Sequence, residues 1–190
     1  MTCPPSTGGG PVRRPFDPEV ALAAVARGEL PVDDLAITID RDGTWRHRGE
    51  PIRRPELVRV LASVLHRDGD GTYWLVTPAE RGRVEVADAP FLGVELASEG
   101  EGRERLLRVR TNLDAWLPLD AEHPLRVAPG PVPYVRVRDR LEARLVSSVY
   151  YELAELADPC PPDGRLGVWS AGRFFPLEPE GAGPAAEAVP

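Results

Sequence analysis

The stretch Gly49-Glu50-Pro51-Ile52-Arg53-Arg54-Pro55 separates two segments whose apolar residues recur with different periods. Before it, apolar and polar residues alternate over 35–39, and the turn residues 41–43 lead into 44–48, which predicts a hairpin. After it, apolar residues recur every three or four positions, which predicts an amphipathic helix with Pro55 in its first turn. The predicted buried face of this helix comprises Leu57, Val58, Leu61, Val64 and Leu65.

The rest of the chain repeats these two patterns. Paired alternating runs around turn residues predict further hairpins at 72–88, 91–111 and 165–177. Single extended segments are predicted at 115–119, 125–127 and 134–137. Asp139 is predicted to cap a long helix that ends at Leu156, because apolar residues recur there at a spacing of four. These residues are Leu141, Leu145, Val149 and Leu153.

Hairpins, rather than strands that alternate one by one with helices, favour an α+β fold over a parallel α/β sheet. We expect two small lobes of antiparallel β-hairpins, each packed on an amphipathic helix, with a loosely repeated order of elements. An N-terminal lobe is predicted at 16–90, opening with a helix at 18–27, and a C-terminal lobe at 91–177. The tails 1–15 and 178–190 are poor in apolar residues other than Pro, Gly and Ala, so both are predicted to be disordered.

Composition narrows the classes of partner. The net charge is −7, and all 23 basic residues are Arg. This acidic balance disfavours nucleic acid as a general partner. Cys3 and Cys160 lie in Pro-rich segments and are too few for a disulfide framework, so a reducing compartment is expected. With no apolar run long enough for a signal peptide or a membrane span, we expect a cytoplasmic protein without a membrane partner.

A series of short motifs runs along the chain in a definite order and spacing. Those of the first half are Asp42-Gly43-Thr44-Trp45, Gly49-Glu50-Pro51-Ile52-Arg53-Arg54-Pro55-Glu56-Leu57-Val58, Tyr73-Trp74-Leu75-Val76-Thr77-Pro78-Ala79-Glu80 and Val86-Ala87-Asp88-Ala89-Pro90-Phe91. Those of the second half are Thr111-Asn112, His123-Pro124-Leu125-Arg126-Val127, Tyr134-Val135-Arg136-Val137-Arg138, Leu141-Glu142-Ala143 and Tyr150-Tyr151-Glu152-Leu153. Together they resemble the bacterial family called domain of unknown function 1285. The resemblance implies a two-lobed α+β fold with repeated motifs, a role in signal transduction and no known reaction.

Two positions depart from the pattern of that family. Arg81 stands where the family pattern has Lys, after a Thr-Pro-x-Glu turn, and Ser147-Ser148 stands where the family more often carries Arg. The first change keeps the positive charge but alters its geometry. The second removes a cation from any anion site that relied on it.

Arginine pairs are the most site-like feature of the sequence. Arg54 stands at the start of a predicted helix, where free backbone N–H groups favour anions. Arg136 and Arg138 project from one face of a predicted strand, and a basic cluster forms with Arg140 and Arg144, predicted to share a helix face. The predicted ligand-binding residues are Arg53, Arg54, Glu80, Arg81, Arg136 and Arg138. Their expected partner is an anionic small molecule or an acidic segment of another protein.

Each of these features also has a purely structural interpretation. A structural ion pair with Glu80 or Asp88 is the more common role for an arginine such as Arg54. A basic cluster is most often a solvated surface with salt bridges. The two interpretations differ in one respect, which is whether the two Arg regions share a pocket.

No catalytic motif stands out. Glu80, Asp88 and His123 are the candidates if the protein is an enzyme, for example a hydrolase that uses general acid–base chemistry. The histidines lack metal-ligand spacing, so neither a metal nor a cofactor is expected. We therefore favour a non-enzymatic binding or regulatory module, with a hydrolase and a structural partner-binding protein as alternatives. The sequence leaves the oligomeric state open.

Overall fold

The structure, a computed structural model, describes residues 32–77, 81–160 and 164–179, with side chains from residue 35 onward. The helix predicted at 18–27 lies outside these residues, as do nearly all of the two predicted tails. The described residues form two six-stranded sheets, one three-stranded sheet and two α-helices. This arrangement confirms the α+β fold and its two lobes.

The first sheet contains two three-stranded meanders joined through a helix. Its strands are β1 (Val32–Ile39), β2 (Trp45–His47), β3 (Glu50–Pro51), β4 (Leu65–Arg67), β5 (Tyr73–Val76) and β6 (Arg81–Val86), with α1 (Pro55–Ser63) between β3 and β4. The turn from β2 to β3 uses Arg48 and Gly49, both with positive φ, as tight hairpins require. Pro55 occupies the first turn of α1, where its missing N–H costs nothing.

The second lobe holds the remaining strands and helix. Its sheet consists of β7 (Phe91–Glu99), β8 (Leu106–Thr111), β9 (Trp116–Pro118), β10 (Leu125–Ala128), β11 (Val132–Arg138) and β12 (Leu141–Leu145), with one 3₁₀ turn at Gly102–Glu104. After β12 come α2 (Ser147–Glu155) and a small third sheet of β13 (Asp158–Cys160), β14 (Arg165–Ser170) and β15 (Arg173–Pro176).

The two large sheets have the same strand order. The first runs β3-β2-β1-β6-β5-β4, and the second, read from its far edge, runs β9-β8-β7-β12-β11-β10. In both, the first and last strands pair in parallel at the centre, while every other pairing is antiparallel. The hairpins were predicted, but the central parallel pairs were not, because they join strands far apart in sequence.

The long helix predicted from Asp139 to Leu156 is wrong in its first half. Asp139 has φ +45° and sits in the turn between β11 and β12, so it caps no helix. Leu141 and Leu145 belong to β12, and α2 begins only at Ser147. Arg140 and Arg144 therefore share no helix face.

The buried residues form two cores that meet at β12. The first core, built around Ile39 and Trp45, also takes in Leu141 and Ala143 from the second sheet. The second core contains Leu145 together with apolar residues of α2 and the third sheet. The buried face of α1 is narrower than predicted, since Val58 is buried but Leu57 is 45% exposed. Neither described helix is long and apolar enough to cross a membrane.

Candidate functional site

An open depression of about 330 Å³ lies between the lobes, on the face of the second sheet away from its core. Four guanidinium groups and two carboxylates surround it, and they come from both lobes. The lining residues are Arg67, Arg126, Arg136, Asp139, Arg140 and Glu142. We call this feature the arginine depression.

Two of these four arginines are held in place by protein oxygens. Arg136 donates from Nε to the carbonyl of Glu122 at 2.8 Å and from Nη2 to that of Ala121 at 3.0 Å. Arg126 donates to both carboxylate oxygens of Glu142, at 2.5 and 2.6 Å. Its guanidinium also stacks over the ring of Tyr134, with Cζ 4.5 Å from the centroid. Groups held in this way lose little further side-chain entropy when a ligand binds.

Arg67 is the residue of the first lobe that lines the depression. Its guanidinium lies 5.2 Å from the ring centroid of Tyr73 and makes only long hydrogen bonds, at 3.4 Å to the carbonyl of Gly71 and 3.5 Å to that of Arg140. The Oε2 atom of Glu142 lies 3.9 Å from Nη1 of Arg67. The Arg140 side chain is exposed and makes no ion pair or hydrogen bond with any described residue. These two guanidiniums have the most donors left over.

A second polar cluster adjoins the depression through Tyr134. The hydroxyl of Tyr134 donates to Asp88 at 2.7 Å, and Asp88 forms ion pairs with Arg41 at 3.4 Å and Arg144 at 3.3 Å. Arg144 also donates to the carbonyl of Arg41 at 2.8 Å. Burial and the hydrogen bond to Asp88 raise the pKa of Tyr134 to about 12. We call these four residues the Asp88 cluster; they join the two lobes.

The predicted arginines do not converge on one pocket. Arg138 donates to the carbonyls of Ala62 at 2.6 Å and Leu65 at 3.2 Å, at the C-terminal end of α1, and burial lowers its pKa. A cation there complements the helix dipole. Arg54 is exposed at the opposite end of α1, about 13 Å away along a nine-residue helix. Of the predicted ligand-binding residues that the structure describes, only Arg136 lines the depression.

Arg53 and Arg81, two other predicted residues that the structure describes, do not line the depression. Glu80 is outside the described residues. Arg81 stacks on Trp74, with Cζ 3.3 Å from the ring centroid, and burial lowers the pKa of its guanidinium. Trp74 in turn donates from Nε1 to Asp68 at 2.9 Å. Arg53, exposed beside Arg54, makes no ion pair or side-chain hydrogen bond within the described ranges.

The two candidate catalytic residues that the structure describes, Asp88 and His123, are held in separate hydrogen-bond networks. Asp88 is engaged by the Asp88 cluster, whereas His123 Nδ1 lies 3.0 Å from the carbonyl of Arg136. The backbone N–H of His123 donates to Asp120 at 2.9 Å, which fixes the turn before β10. No hydrogen bond joins Asp88 to His123 in the part of the chain that the structure describes.

Sequence reasoning missed Arg67, Arg126 and Glu142 as site residues. The alternation in the segment at 125–127 already pointed Arg126 away from the core. Its pairing with Glu142 depends on the placement of β10 and β12 on either side of β11, which no local pattern encodes. Arg67 lies in β4, which follows α1, and the sequence did not predict a strand there.

The chain matches two family models over nearly all of its described length. Residues 31–89 match the N-terminal domain of a family of unknown function, DUF1285, and residues 90–177 match its C-terminal domain. The chain belongs to the DUF1285 family. A solved DUF1285 family protein from Silicibacter pomeroyi is 38% identical with a TM-score of 0.71, covering 80% of this chain and 84% of its own. No curated protein matches.

A second solved DUF1285 family protein, from Shewanella baltica, is 25% identical with a TM-score of 0.52. That comparison covers 63% of this chain and 90% of the other. Both solved structures are thus DUF1285 family proteins whose fold is similar to that of this chain over the part that each covers.

Two of the motifs that resemble DUF1285 meet at the junction of the lobes. Gly43 has φ +79°, and a Cβ there would lie 2.7 Å from Nδ2 of Asn112. The amide oxygen of Asn112 accepts the backbone N–H of Leu92 at 3.1 Å. These motif residues therefore have a structural role in joining the two halves of the DUF1285 fold.

Proposed function

We propose that this DUF1285 member is a non-enzymatic binding module that holds an anionic ligand in the arginine depression. One observation carries the proposal: four guanidiniums surround a single depression with only two carboxylates, in a chain whose net charge is −7. A local excess of positive charge on an acidic protein attracts anions to that place.

The arrangement of the guanidiniums supports a carboxylate or phosphate as the recognised group. A guanidinium presents donors in a planar fork that matches the oxygens of these anions. Backbone carbonyls occupy two donors of Arg136, which leaves the others available, and Arg140 has no partner among the described residues. The ligand is therefore expected to be held at several points, by donors from both lobes.

The size of the depression favours a small anion. Its volume of about 330 Å³ lies at the lower end of the range of about 300–1,000 Å³ for small-molecule pockets. The same donors would also accept the carboxylates of an acidic protein segment. Because the two ligands share one chemistry, the test includes both.

Thermal unfolding in the presence of pyrophosphate, citrate or a hexaglutamate peptide tests the proposal. We expect at least one of these to raise the Tm of the wild type, by linkage to binding. Arg67→Gln and Arg140→Gln should each weaken binding about tenfold, the effect of one lost charged hydrogen bond. Arg173→Gln is the matched control, because Arg173 is exposed on β15 and away from the depression.

Two outcomes would contradict this proposal. One is the absence of a Tm shift with all three probes. The other is a shift that persists in Arg140→Gln and disappears in Arg54→Gln, since that result would place the anion at the start of α1. The cytoplasmic location and the role in signal transduction stay predictions.

A further inference from the structure

A second hollow, of about 290 Å³, lies on the first sheet and is separate from the arginine depression. It is formed by β1, β6 and the turn between β2 and β3. Its lining residues are Ala36, Ile37, Thr38, Arg48, Gly49, Arg83 and Glu85. We call it the β1–β6 hollow.

The hollow results from the sizes of neighbouring side chains. Val84 of β6 points into the first core, so Arg83 and Glu85 on either side of it project from the opposite face. Thr38 is the parallel partner of Glu85, and with Ala36 it provides a floor of small side chains. The long side chains of β6 form one wall.

The other wall depends on unusual backbone conformations. Ala36 has φ +46° and Arg48 has φ +51°, and a left-handed conformation costs a non-glycine residue roughly 1–2 kcal/mol. The N–H of Arg48 donates to the carbonyl of Ala36 at 2.8 Å, which fixes the turn against β1. The register of β1 against β6 also shifts between Asp33 and Ile37. Strained residues of this kind often accompany binding sites.

The charged side chains of the hollow differ from the paired charges on the second sheet. Cross-strand pairs such as Arg110 with Glu95 neutralise each other on the second sheet. Arg48, Arg83 and Glu85 line one hollow, yet none makes an ion pair or side-chain hydrogen bond with a described residue. The hollow thus offers two cationic groups and one anionic group, together with the hydroxyl of Thr38.

We propose that the β1–β6 hollow binds a small dipolar molecule that carries both a carboxylate and an ammonium group, of the class of free α-amino acids. The two guanidiniums receive the carboxylate, since both are planar donors suited to it. The carboxylate of Glu85 accepts from the ammonium group. This site is independent of the arginine depression, because the two share no lining residue.

Saturation-transfer difference NMR on the full chain tests this proposal with glycine, L-alanine, L-valine and L-leucine. We expect saturation transfer from the protein to at least one of them. The N-acetyl and amide derivatives, which lack the ammonium and the carboxylate charge respectively, should each bind at least about tenfold more weakly. Circular dichroism verifies that each variant is folded.

The variants locate the binding. Arg83→Gln should reduce the affinity for the free amino acid about tenfold. Glu85→Gln should bind the free amino acid no more tightly than its N-acetyl derivative, because the acceptor for the ammonium group is lost. Arg140→Gln, in the arginine depression, should leave amino-acid binding unchanged and so separates the two sites. The proposal is overturned if none of the four amino acids receives saturation, or if a bound one keeps its affinity in both Arg83→Gln and Glu85→Gln.

Discussion

The two large sheets share one strand order but differ in where their helices lie. In the first sheet, α1 fills the connection between the two meanders, whereas residues 119–124 make the same connection in the second. In the second lobe, α2 instead follows β12, the last strand of the large sheet. The third sheet packs against the core of that lobe. Strand order is thus a stronger common feature of the two lobes than the position of a helix.

The lobes also differ in how much each depends on the other. An arginine binds backbone carbonyl groups at the end of each helix: Arg138 of β11 does so on α1, and Arg105, directly before β8, donates to the carbonyl of Leu156 at 3.0 Å on α2. Arg105 acts within its own lobe, whereas Arg138 reaches across to the first. With Leu141 in the first core, the second lobe completes the first.

The largest expected effect comes from Leu141→Ala. Leu141 is 1% exposed, and truncation of a buried Leu typically costs about 2–5 kcal/mol. Because its contacts lie in the first core, hydrogen exchange should accelerate in β1 and β2. Leu153→Ala, in the second core, should destabilise the protein by a similar amount but accelerate exchange in α2 instead. Acceleration confined to the second lobe in both variants would show that the lobes are independent.

Gly43→Ala should destabilise the protein by about 2 kcal/mol, from the left-handed backbone and from overpacking against Asn112. Gly49→Ala is the matched control, because Gly49 has φ +83° but nothing within 4 Å of a Cβ. Gly49→Ala should lower the free energy of unfolding by only about 1 kcal/mol, because only the left-handed backbone contributes there. Urea denaturation measures both. Equal losses would mean that the turn at Gly43 is not closely packed on the second lobe.

Arg138→Met should cost about 1.5 kcal/mol, since it leaves partly buried carbonyls of α1 without their charged donor. Arg105→Met should cost about the same at the end of α2. In hydrogen exchange, the first substitution should loosen α1 and the second α2. If hydrogen exchange in α1 is unchanged in Arg138→Met, the contact that Arg138 makes across the lobe junction does not stabilise the first lobe.

Tyr134→Phe should cost about 1 kcal/mol at neutral pH through loss of one hydrogen bond to Asp88. The effect should also depend on pH. The folded pKa of about 12 lies above the value of about 10 for an unfolded tyrosine, so this contribution is complete below pH 10 and is lost as the pH rises towards 12. Denaturation across this range should show a shallower decline in Tyr134→Phe. An identical decline in both proteins would contradict the raised pKa.

Local patterns predicted those parts of the fold that depend on neighbours in sequence. Alternation identified the hairpins, and Pro55 marked the start of α1. The same patterns misassigned β12, because a spacing of four suits two structures. Leu141 and Leu145 lie on the same face of a strand, while Val149 and Leu153 lie on the same face of a helix.

The candidate site was harder to predict because it depends on distant strands. Arg136 was found from its place in an arginine-rich strand, but its neighbours in the depression come from β4, β10 and β12. The pairing of β10 and β12 with β11 and the contact of β4 from the other lobe bring these residues together, and no periodicity in the sequence reports that contact. Arg138, chosen on the same ground as Arg136, binds the end of α1 instead.

The most direct test of the arginine depression is to observe its guanidinium groups while an anion is added. In a titration with pyrophosphate, followed by NMR of the arginine Nε–Hε groups, we expect shifts for the four arginines that line the depression. The resonance of Arg173 should not move. Shifts at Arg53 and Arg54 with none in the depression, or no shifts at all, would contradict it.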